Sequence, residues 1–222
     1  ALVSARAVRM SGFADLCVST NFSFLRAASH PEELVAAAKE LGHAGIGIAD
    51  RNSLAGMVCA HAKAKDAGLR LAVGVRLVFR DGTPDILAYP KDRPAYSRLT
   101  RLLTIGNRRA PKGECWLDFP DFMSHCEGLQ AIVIPDLQTG ALPDAMLTDC
   151  LQNIHDACGQ VWLAAWFVFD GEDRRRIRLL KKLVAQTGAK LIATTQPLHH
   201  APERPALLDV ITRLREPTTV DN

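Results

Sequence analysis

The sequence lacks the features that mark several classes of protein. Its longest apolar run, Val161–Phe169, is far shorter than the ~20 residues of a membrane-spanning helix. Two arginines near the start are followed by no apolar signal-peptide core, so we do not expect secretion. The six cysteines show no C-x-x-C spacing, which predicts reduced thiols in a cytoplasmic protein rather than a disulfide framework. A net charge of +3 is too small to indicate a nucleic-acid-binding surface. Secreted, membrane and collagen-like classes are therefore excluded.

What the chain does contain is a recurring pattern in which a helix-like stretch ends in glycine and an apolar strand follows. It occurs at 37–50, 62–75 and 181–195. The three glycines, Gly42, Gly68 and Gly188, lie where the end of a helix needs a positive φ, which glycine adopts without steric cost. The strands that follow are apolar on both faces, which is typical of parallel strands buried between helices and a core.

Strands that alternate with helices predict an α/β protein, and the count of strands favours a barrel. About seven strand candidates occur, and no dinucleotide-binding fingerprint is present, because Gly45-Ile46-Gly47 lacks the third glycine. The first helix is expected to begin at Ser29 as its N-cap, with Pro31 and Glu32 in its first turn. The segment Asn107–Gly113 is predicted to be a loop. Its three basic residues favour a solvated loop over a phosphate contact.

The length of 222 residues suits one domain, with residues 1–12 as an amino-terminal extension. Because the chain ends at Asn222 just beyond a predicted helix, we expect it to be a part of something longer.

In a (β/α) barrel the functional groups lie at the carboxyl ends of the strands. Those ends carry mostly residues that are poor ligands for a divalent cation, which needs deprotonated nitrogen, oxygen or sulfur ligands. Only Asp50 is, without reservation, a suitable ligand for such a cation. The residues at these positions are Cys17, Ser19, Asp50, Arg51, Arg76, Thr195, Gln196 and Leu198.

Residues 15–75, DLCVSTNFSFLRAASHPEELVAAAKELGHAGIGIADRNSLAGMVCAHAKAKDAGLRLAVGV, closely resemble the start of the PHP (polymerase and histidinol phosphatase) domain of C-family bacterial DNA polymerases. The motifs NFSFLRAASHPEEL, SLAGMVCAHAKAKDAGL and HHAPERPALLDVITRLRE are similar to the error-prone type of α subunit, which serves damage-induced mutagenesis. The resemblance is collinear over residues 12–221. It implies a distorted seven-stranded (β/α) barrel of the PHP type.

The resemblance also implies a metal pattern, and this sequence departs from it at nearly every position. The opening His-x-His falls on Cys17 and Ser19, and the Asp-His pair falls on Asp50 and Arg51. The remaining positions of the pattern fall on Arg26, Arg76, Gln196 and Leu198. The resemblance therefore predicts a degenerate metal site with no metal and no catalytic residue in this domain.

Several of these groups have an ordinary structural interpretation. We expect Asp50 to form an ion pair with Arg76 or Arg51 rather than to bind a metal, and Cys17 to be a small core residue. The pair His199-His200 lies just past the last position of the pattern and is interpreted as a surface turn.

Three functional hypotheses follow. The first is the amino-terminal PHP domain of an error-prone DNA polymerase, with a structural or interaction role and no catalysis of its own. The resemblance implies a cytoplasmic parent protein that copies damaged DNA with Mg²⁺ in its palm. It also implies partners: the palm and thumb of the same chain, mutagenesis accessory proteins, a sliding clamp, and DNA through the parent, with no membrane.

The second hypothesis is a stand-alone metal-dependent phosphoesterase or 3′–5′ exonuclease. The third is an anion-binding module, if Arg26, Arg51 and Arg76 converge.

Overall fold

The computed structural model describes residues 12–137 and 145–216 of the chain, in which strands and helices alternate. The strands are β1 (Ala14–Val18), β2 (Gly45–Arg51), β3 (Arg70–Leu77), β4 (Ile86–Pro90), β5 (Leu129–Val133), β6 (Val161–Ala165) and β7 (Lys190–Ala193). The helices are α1 (Pro31–Glu40), α2 (Met57–Ala67), α3 (Arg93–Arg109), α4 (Phe119–Met123), α5 (Ala145–Cys158), α6 (Asp173–Thr187) and α7 (Pro205–Arg215).

The strands form one curled sheet in the order β1-β2-β3-β4-β5-β6-β7. Neighbouring strands are parallel except that β4 is antiparallel to both β3 and β5, so six strands run in one direction. Residues 78–85 join β3 to β4 without a helix, and Leu77 pairs with Ile86. The amino end of β4 therefore lies at the carboxyl ends of the other strands. This arrangement confirms the distorted seven-stranded (β/α) barrel.

The two edge strands meet through side chains. No backbone ladder joins β7 to β1 within the described residues, but the buried carboxylate of Asp15 on β1 accepts hydrogen bonds from the hydroxyls of Thr194, at 2.7 Å, and Thr195. The backbone amide of Ala28 also donates to the carbonyl of Leu198 at 2.8 Å. These hydrogen bonds join the β1 and β7 edges of the curled sheet, between which no backbone ladder is described.

The inside of the sheet is filled by a small apolar cluster around Tyr89, whose hydroxyl donates to the carbonyl of Leu16. A Cβ at Gly74 would lie 2.3 Å from the Tyr89 ring, and one at Gly47 would lie 2.8 Å from the Tyr89 hydroxyl oxygen. The glycines of β2 and β3 thus provide room for this ring. The Gly-x-Gly of β2 has a packing explanation and needs no nucleotide.

The glycines predicted at helix ends are confirmed, and two predicted boundaries are wrong. Gly42, Gly68 and Gly188 have φ of 75°, 62° and 72°, as expected at helix ends. The first helix, however, begins one residue later than predicted, with His30 as its N-cap, and the backbone amide of His30 donates to Glu33 Oε2 at 2.8 Å. The Ser29 hydroxyl instead contacts Nδ1 of His200 at 2.7 Å.

The second wrong boundary is the loop predicted from Asn107. Helix α3 continues to Arg109, whose guanidinium pairs with Asp121 at 2.7 Å and lies 3.7 Å from Asp118. This pairing with aspartates of and next to α4 extends the helix beyond the point where composition alone suggests a loop. Because two carboxylates contact this guanidinium, the segment is better explained by a role in the fold than by a phosphate contact.

Candidate functional site

A cavity of about 830 Å³ opens at the carboxyl ends of the strands. Six of the eight positions of the predicted metal pattern line it. They are Ser19, Arg26, Arg51, Arg76, Gln196 and Leu198. The other two, Cys17 and Asp50, are 2% and 0% exposed and lie below the cavity surface. The structure therefore brings the predicted positions together, although they come from distant parts of the chain.

Asp50 pairs with neither Arg51 nor Arg76, so the predicted ion pair is wrong. Its carboxylate accepts three hydrogen bonds from neutral donors: the backbone amide of Thr20 at 2.8 Å, the hydroxyl of Thr20 at 2.8 Å and the hydroxyl of Ser23 at 2.6 Å. The loop after β1 supplies all three donors. Because a fully buried carboxylate needs its oxygens satisfied, this loop holds the end of β2 in place.

The arginines pair with Asp85, a residue that sequence reasoning missed. Arg76 Nε donates to Asp85 Oδ2 at 2.7 Å, and Arg51 Nη1 lies 3.8 Å from the same oxygen. Arg76 also donates to Gln196 Oε1 at 3.3 Å. Asp85 directly precedes β4, and only the antiparallel direction of β4 brings this residue to the cavity. The sequence analysis considered only the carboxyl ends of strands and therefore missed Asp85. The available signal was the position of this carboxylate directly before a predicted strand.

The charge that lines the cavity is mainly positive. Four guanidiniums, of Arg26, Arg51, Arg76 and Arg215, share it with two carboxylates, of Asp85 and Asp136. The guanidinium of Arg26 makes no ion pair or hydrogen bond with another described residue, unlike the other three.

Burial and, next, the crowding of these cations lower the pKa of two of them. Loss of hydration and, next, the neighbouring Arg215 lower the pKa of Arg26. Loss of hydration and, next, Arg26 also lower the pKa of Arg51, while Asp85 partly offsets the effect. Both guanidiniums remain charged at neutral pH, because an arginine begins from a pKa above 12. The cavity therefore holds like charges close to one another at an energetic cost.

The backbone around the cavity is unusual. Three of the four non-glycine residues with positive φ in the described ranges lie beside these side chains: Leu25 at 56°, Asn52 at 47° and Gln196 at 55°. Asn52 is held by its own side chain, which accepts a hydrogen bond from the Val78 amide at 2.9 Å. Such conformations cost of order 1 kcal/mol each and concentrate at functional sites.

Cys17 and His200 have structural explanations within the fold. Burial raises the pKa of the Cys17 thiol to about 12, so at neutral pH it carries no thiolate for nucleophilic attack or metal binding. His200 Nδ1, besides its contact with Ser29, lies 3.5 Å from Glu33 Oε2. Within residues 12–137 and 145–216, no three His, Cys, Asp or Glu side chains form a group able to hold a metal ion.

Comparison with protein families identifies the fold. A family model described as the PHP domain matches residues 15–172. This chain belongs to the PHP domain family. The resemblance that the sequence motifs carry is thereby confirmed. No helix in the described ranges of this PHP domain combines the length and the apolar character that crossing a membrane requires.

Curated relatives extend the match over almost the whole chain. The PHP domain is 47% identical over 204 residues to an error-prone DNA polymerase of Caulobacter vibrioides, covering 92% of this chain and 19% of the relative. It is 46% identical over 216 residues to an error-prone DNA polymerase of Brucella abortus, covering 95% of this chain and 20% of the relative. The chain thus spans about a fifth of the length of these relatives.

Solved structures share the fold at low sequence identity. A crystal structure from Bifidobacterium adolescentis, of a protein named as a candidate metal-dependent phosphoesterase, has a TM-score of 0.63 and 17% identity, covering 87% of this chain and 89% of that one. At this identity the likeness concerns the arrangement of strands and helices in the PHP domain.

Proposed function

We propose that this chain is the amino-terminal PHP domain of an error-prone DNA polymerase that copies damaged DNA, and that the domain contributes structure rather than catalysis. The observation that supports the parent protein is the identity of 46–47% over more than nine-tenths of the chain to relatives with that name. The palm, with its Mg²⁺, would lie in the part of those relatives that this chain does not cover. A cytoplasmic location, a sliding clamp, mutagenesis accessory proteins and DNA as partners of the parent belong to the same proposal.

The donor set of the cavity supports the absence of metal catalysis. A catalytic zinc site needs about three protein ligands. Of the positions in the pattern, Asp50 is engaged by three neutral donors and Cys17 is a protonated thiol. Three further positions carry arginine, whose fixed positive charge repels a divalent cation. These residues do not fit a divalent metal.

A structural role is supported by an apolar surface around α7. This α7 surface consists of Phe24, Leu207, Val210 and Leu214, of which Phe24 is 81% and Leu214 70% exposed. Arg215 Nη1 donates to the carbonyl of Leu25 at 3.3 Å, which holds the end of α7 beside the loop that carries Phe24. Large exposed apolar patches mark interaction sites. The palm and thumb of the parent are the proposed partners of this one, and they would lie in the four-fifths of the relatives' length that this chain does not cover.

The length of the native reading frame tests the parent protein directly. We expect the frame to continue for several hundred residues beyond Asn222 and to include a polymerase palm. A stop codon close to Asn222 would contradict the proposal. In the full-length protein, amide hydrogen exchange in α7 should be slower than in the 222-residue chain, whereas exchange in α6, which carries no part of the α7 surface, should change less.

Activity assays test the absence of catalysis. With Mn²⁺, Zn²⁺ or Mg²⁺, the 222-residue chain should hydrolyse neither p-nitrophenyl phosphate nor the 3′ end of single-stranded DNA. It should also neither extend a primer nor bind primer-template DNA with nanomolar Kd at physiological salt. Hydrolysis that disappears on Asp50→Asn, in a variant that remains folded, would favour the phosphoesterase or exonuclease instead.

A further inference from the structure

We propose that the cavity at the carboxyl ends of the strands binds a phosphate-bearing anion, held by the guanidiniums of Arg26, Arg51 and Arg76 with the hydroxyl of Ser19. This inference does not depend on the polymerase assignment. It depends on the side chains that line the cavity, and it assigns a ligand class to a site in which the metal pattern is replaced by cations.

The first argument is charge. Arg51 and Arg76 share the single carboxylate of Asp85, and Arg26 has no carboxylate within ion-pair distance among the described residues. These three guanidiniums and one carboxylate leave an excess of about two positive charges, in a place where like charges already crowd one another. A doubly charged anion would remove that excess, and phosphate carries between one and two negative charges at neutral pH.

The second argument is the set of unused donors. The Arg26 guanidinium donates no hydrogen bond to a described residue. Arg51 approaches Asp85 at only 3.8 Å, so its guanidinium has no short hydrogen bond to that carboxylate. Ser19 is 7% exposed and lines the cavity, yet its hydroxyl makes no hydrogen bond with another described residue. Guanidinium forks and hydroxyls are the side-chain donors that match phosphate oxygens.

The third argument is positioning. Arg76 is oriented by both Asp85 at 2.7 Å and Gln196 at 3.3 Å. Two residues with positive φ lie next to these arginines: Leu25 directly precedes Arg26, and Gln196 accepts the hydrogen bond from Arg76. Two partners and a specific backbone conformation hold Arg76 at the cavity before any ligand arrives. Preorganised donors of this kind lower the ordering cost of binding. The cavity volume of about 830 Å³ accommodates a phosphate or diphosphate group with water.

The binding experiment uses the 222-residue chain in a buffer free of phosphate and sulfate and containing EDTA. Isothermal titration with inorganic phosphate and with pyrophosphate should show saturable binding, weakened by added NaCl. Pyrophosphate should bind more tightly, because its second phosphoryl group reaches further guanidiniums. Acetate, which has carboxylate geometry and one charge, should bind at least about tenfold more weakly. Absence of saturable phosphate and pyrophosphate binding at millimolar concentration would overturn the proposal, and so would equal binding of acetate.

The variant Arg26→Gln tests the site itself, because it removes one charge without leaving an unpaired carboxylate. It should weaken pyrophosphate binding about tenfold or more, as expected for loss of a charge-assisted hydrogen bond. The matched control is Arg175→Gln, at an arginine on α6 whose side chain is 71% exposed and, among the described residues, forms an ion pair only with the exposed Glu172. The control should change the Kd less than about twofold. Equal Kd values for the two variants would refute the site.

The variant Asp85→Asn is expected to act in the opposite direction. It removes the only carboxylate that Arg51 and Arg76 share, while its amide oxygen can still accept the hydrogen bond from Arg76. Pyrophosphate should therefore bind several-fold more tightly. Thermal unfolding and circular dichroism of each variant establish that it is folded before its Kd is interpreted. Weaker binding in a folded Asp85→Asn variant would contradict a purely guanidinium-held anion.

The same titration separates this inference from the proposed function. If the reading frame ends near Asn222 but phosphate binding depends on Arg26, the polymerase assignment fails and the anion site stands. If the frame continues and no binding occurs, the anion site fails alone. If binding requires a divalent cation and is lost in EDTA, the anion is held through a metal and the proposal is wrong.

Discussion

Two carboxylates at the same end of the barrel are stabilised in different ways. Asp50, which is fully buried below the cavity, is held by an amide and two hydroxyls. Asp85, with a side chain that is 20% exposed at the cavity wall, is held by two arginines. The neutral donors serve only the fold, because they are enclosed and fully used. The arginines outnumber their carboxylate and face an open cavity, so they remain available to a ligand. This comparison separates structural from ligand-binding groups, and four measurements test it.

The largest effect is expected for Asp50→Ala. It would leave the Thr20 amide and the hydroxyls of Thr20 and Ser23 without an acceptor, and each unsatisfied buried donor costs about 1–3 kcal/mol. We therefore expect the free energy of unfolding to fall by about 3 kcal/mol or more in urea denaturation. Asp66→Ala, at an exposed position of α2, is the control and should cost less than about 0.5 kcal/mol. Equal losses for the two variants would show that the Asp50 bonds do not hold the loop.

Arg76→Ala should have an intermediate effect. The pair is neither enclosed nor fully solvated, since the Arg76 and Asp85 side chains are 24% and 20% exposed. Between the values for surface and buried ion pairs, we expect a loss of about 1–2 kcal/mol in the free energy of unfolding. Arg175→Ala provides the exposed comparison. A loss as large as that of Asp50→Ala would contradict the distinction between the two carboxylates.

Arg26→Gln should have little effect on stability. This arginine has no carboxylate within ion-pair distance among the described residues. Loss of hydration and, next, repulsion by Arg215 and Arg76 lower its pKa. Its replacement should change the free energy of unfolding by less than about 0.5 kcal/mol, in either direction. The same variant is expected to impair anion binding strongly. A destabilisation above about 2 kcal/mol would show that Arg26 is part of the fold rather than a spare cation.

The smallest expected signal is the alkylation of Cys17. Because burial keeps its thiol protonated up to a pKa of about 12, iodoacetamide at pH 8 should leave Cys17 unmodified in the folded protein, as read by mass spectrometry. The partly exposed Cys59 should be modified faster, and urea should make both reactive. Rapid modification of Cys17 without denaturant would mean that the region below the cavity opens readily.

The strands and most helices could be predicted because they depend on local patterns. Apolar runs, glycine at helix ends and the alternation of strands with helices are visible in a window of a few residues, and all seven predicted strands are present. The short helix α4 was missed, since five residues carry too little periodicity to detect. The start of α1 was misplaced by one residue, because Ser29 has a competing partner in His200, 171 positions away.

The residues that line the candidate site could also be predicted from the sequence, whereas their hydrogen-bond and ion-pair partners could not. Alignment of the PHP motifs identified Arg26, Arg51 and Arg76, and all three line one cavity. The prediction that Asp50 pairs with Arg76 or Arg51 assumed that neighbouring strand ends interact with each other. In the structure the loop after β1 reaches Asp50 first, and the reversed strand β4 supplies Asp85 to the arginines.

The sequence by itself determined the family and most of the secondary structure, because these depend on residue identity and short-range spacing. Tertiary structure alone decided which charges meet. Thr194 meets Asp15, and both Asp85 and Gln196 meet Arg76, only when the sheet curls and β4 runs against its neighbours. Electrostatic and hydrogen-bond energies vary steeply with distance and burial, so a choice between two possible partners depends on ångström-scale placement that strand order does not contain.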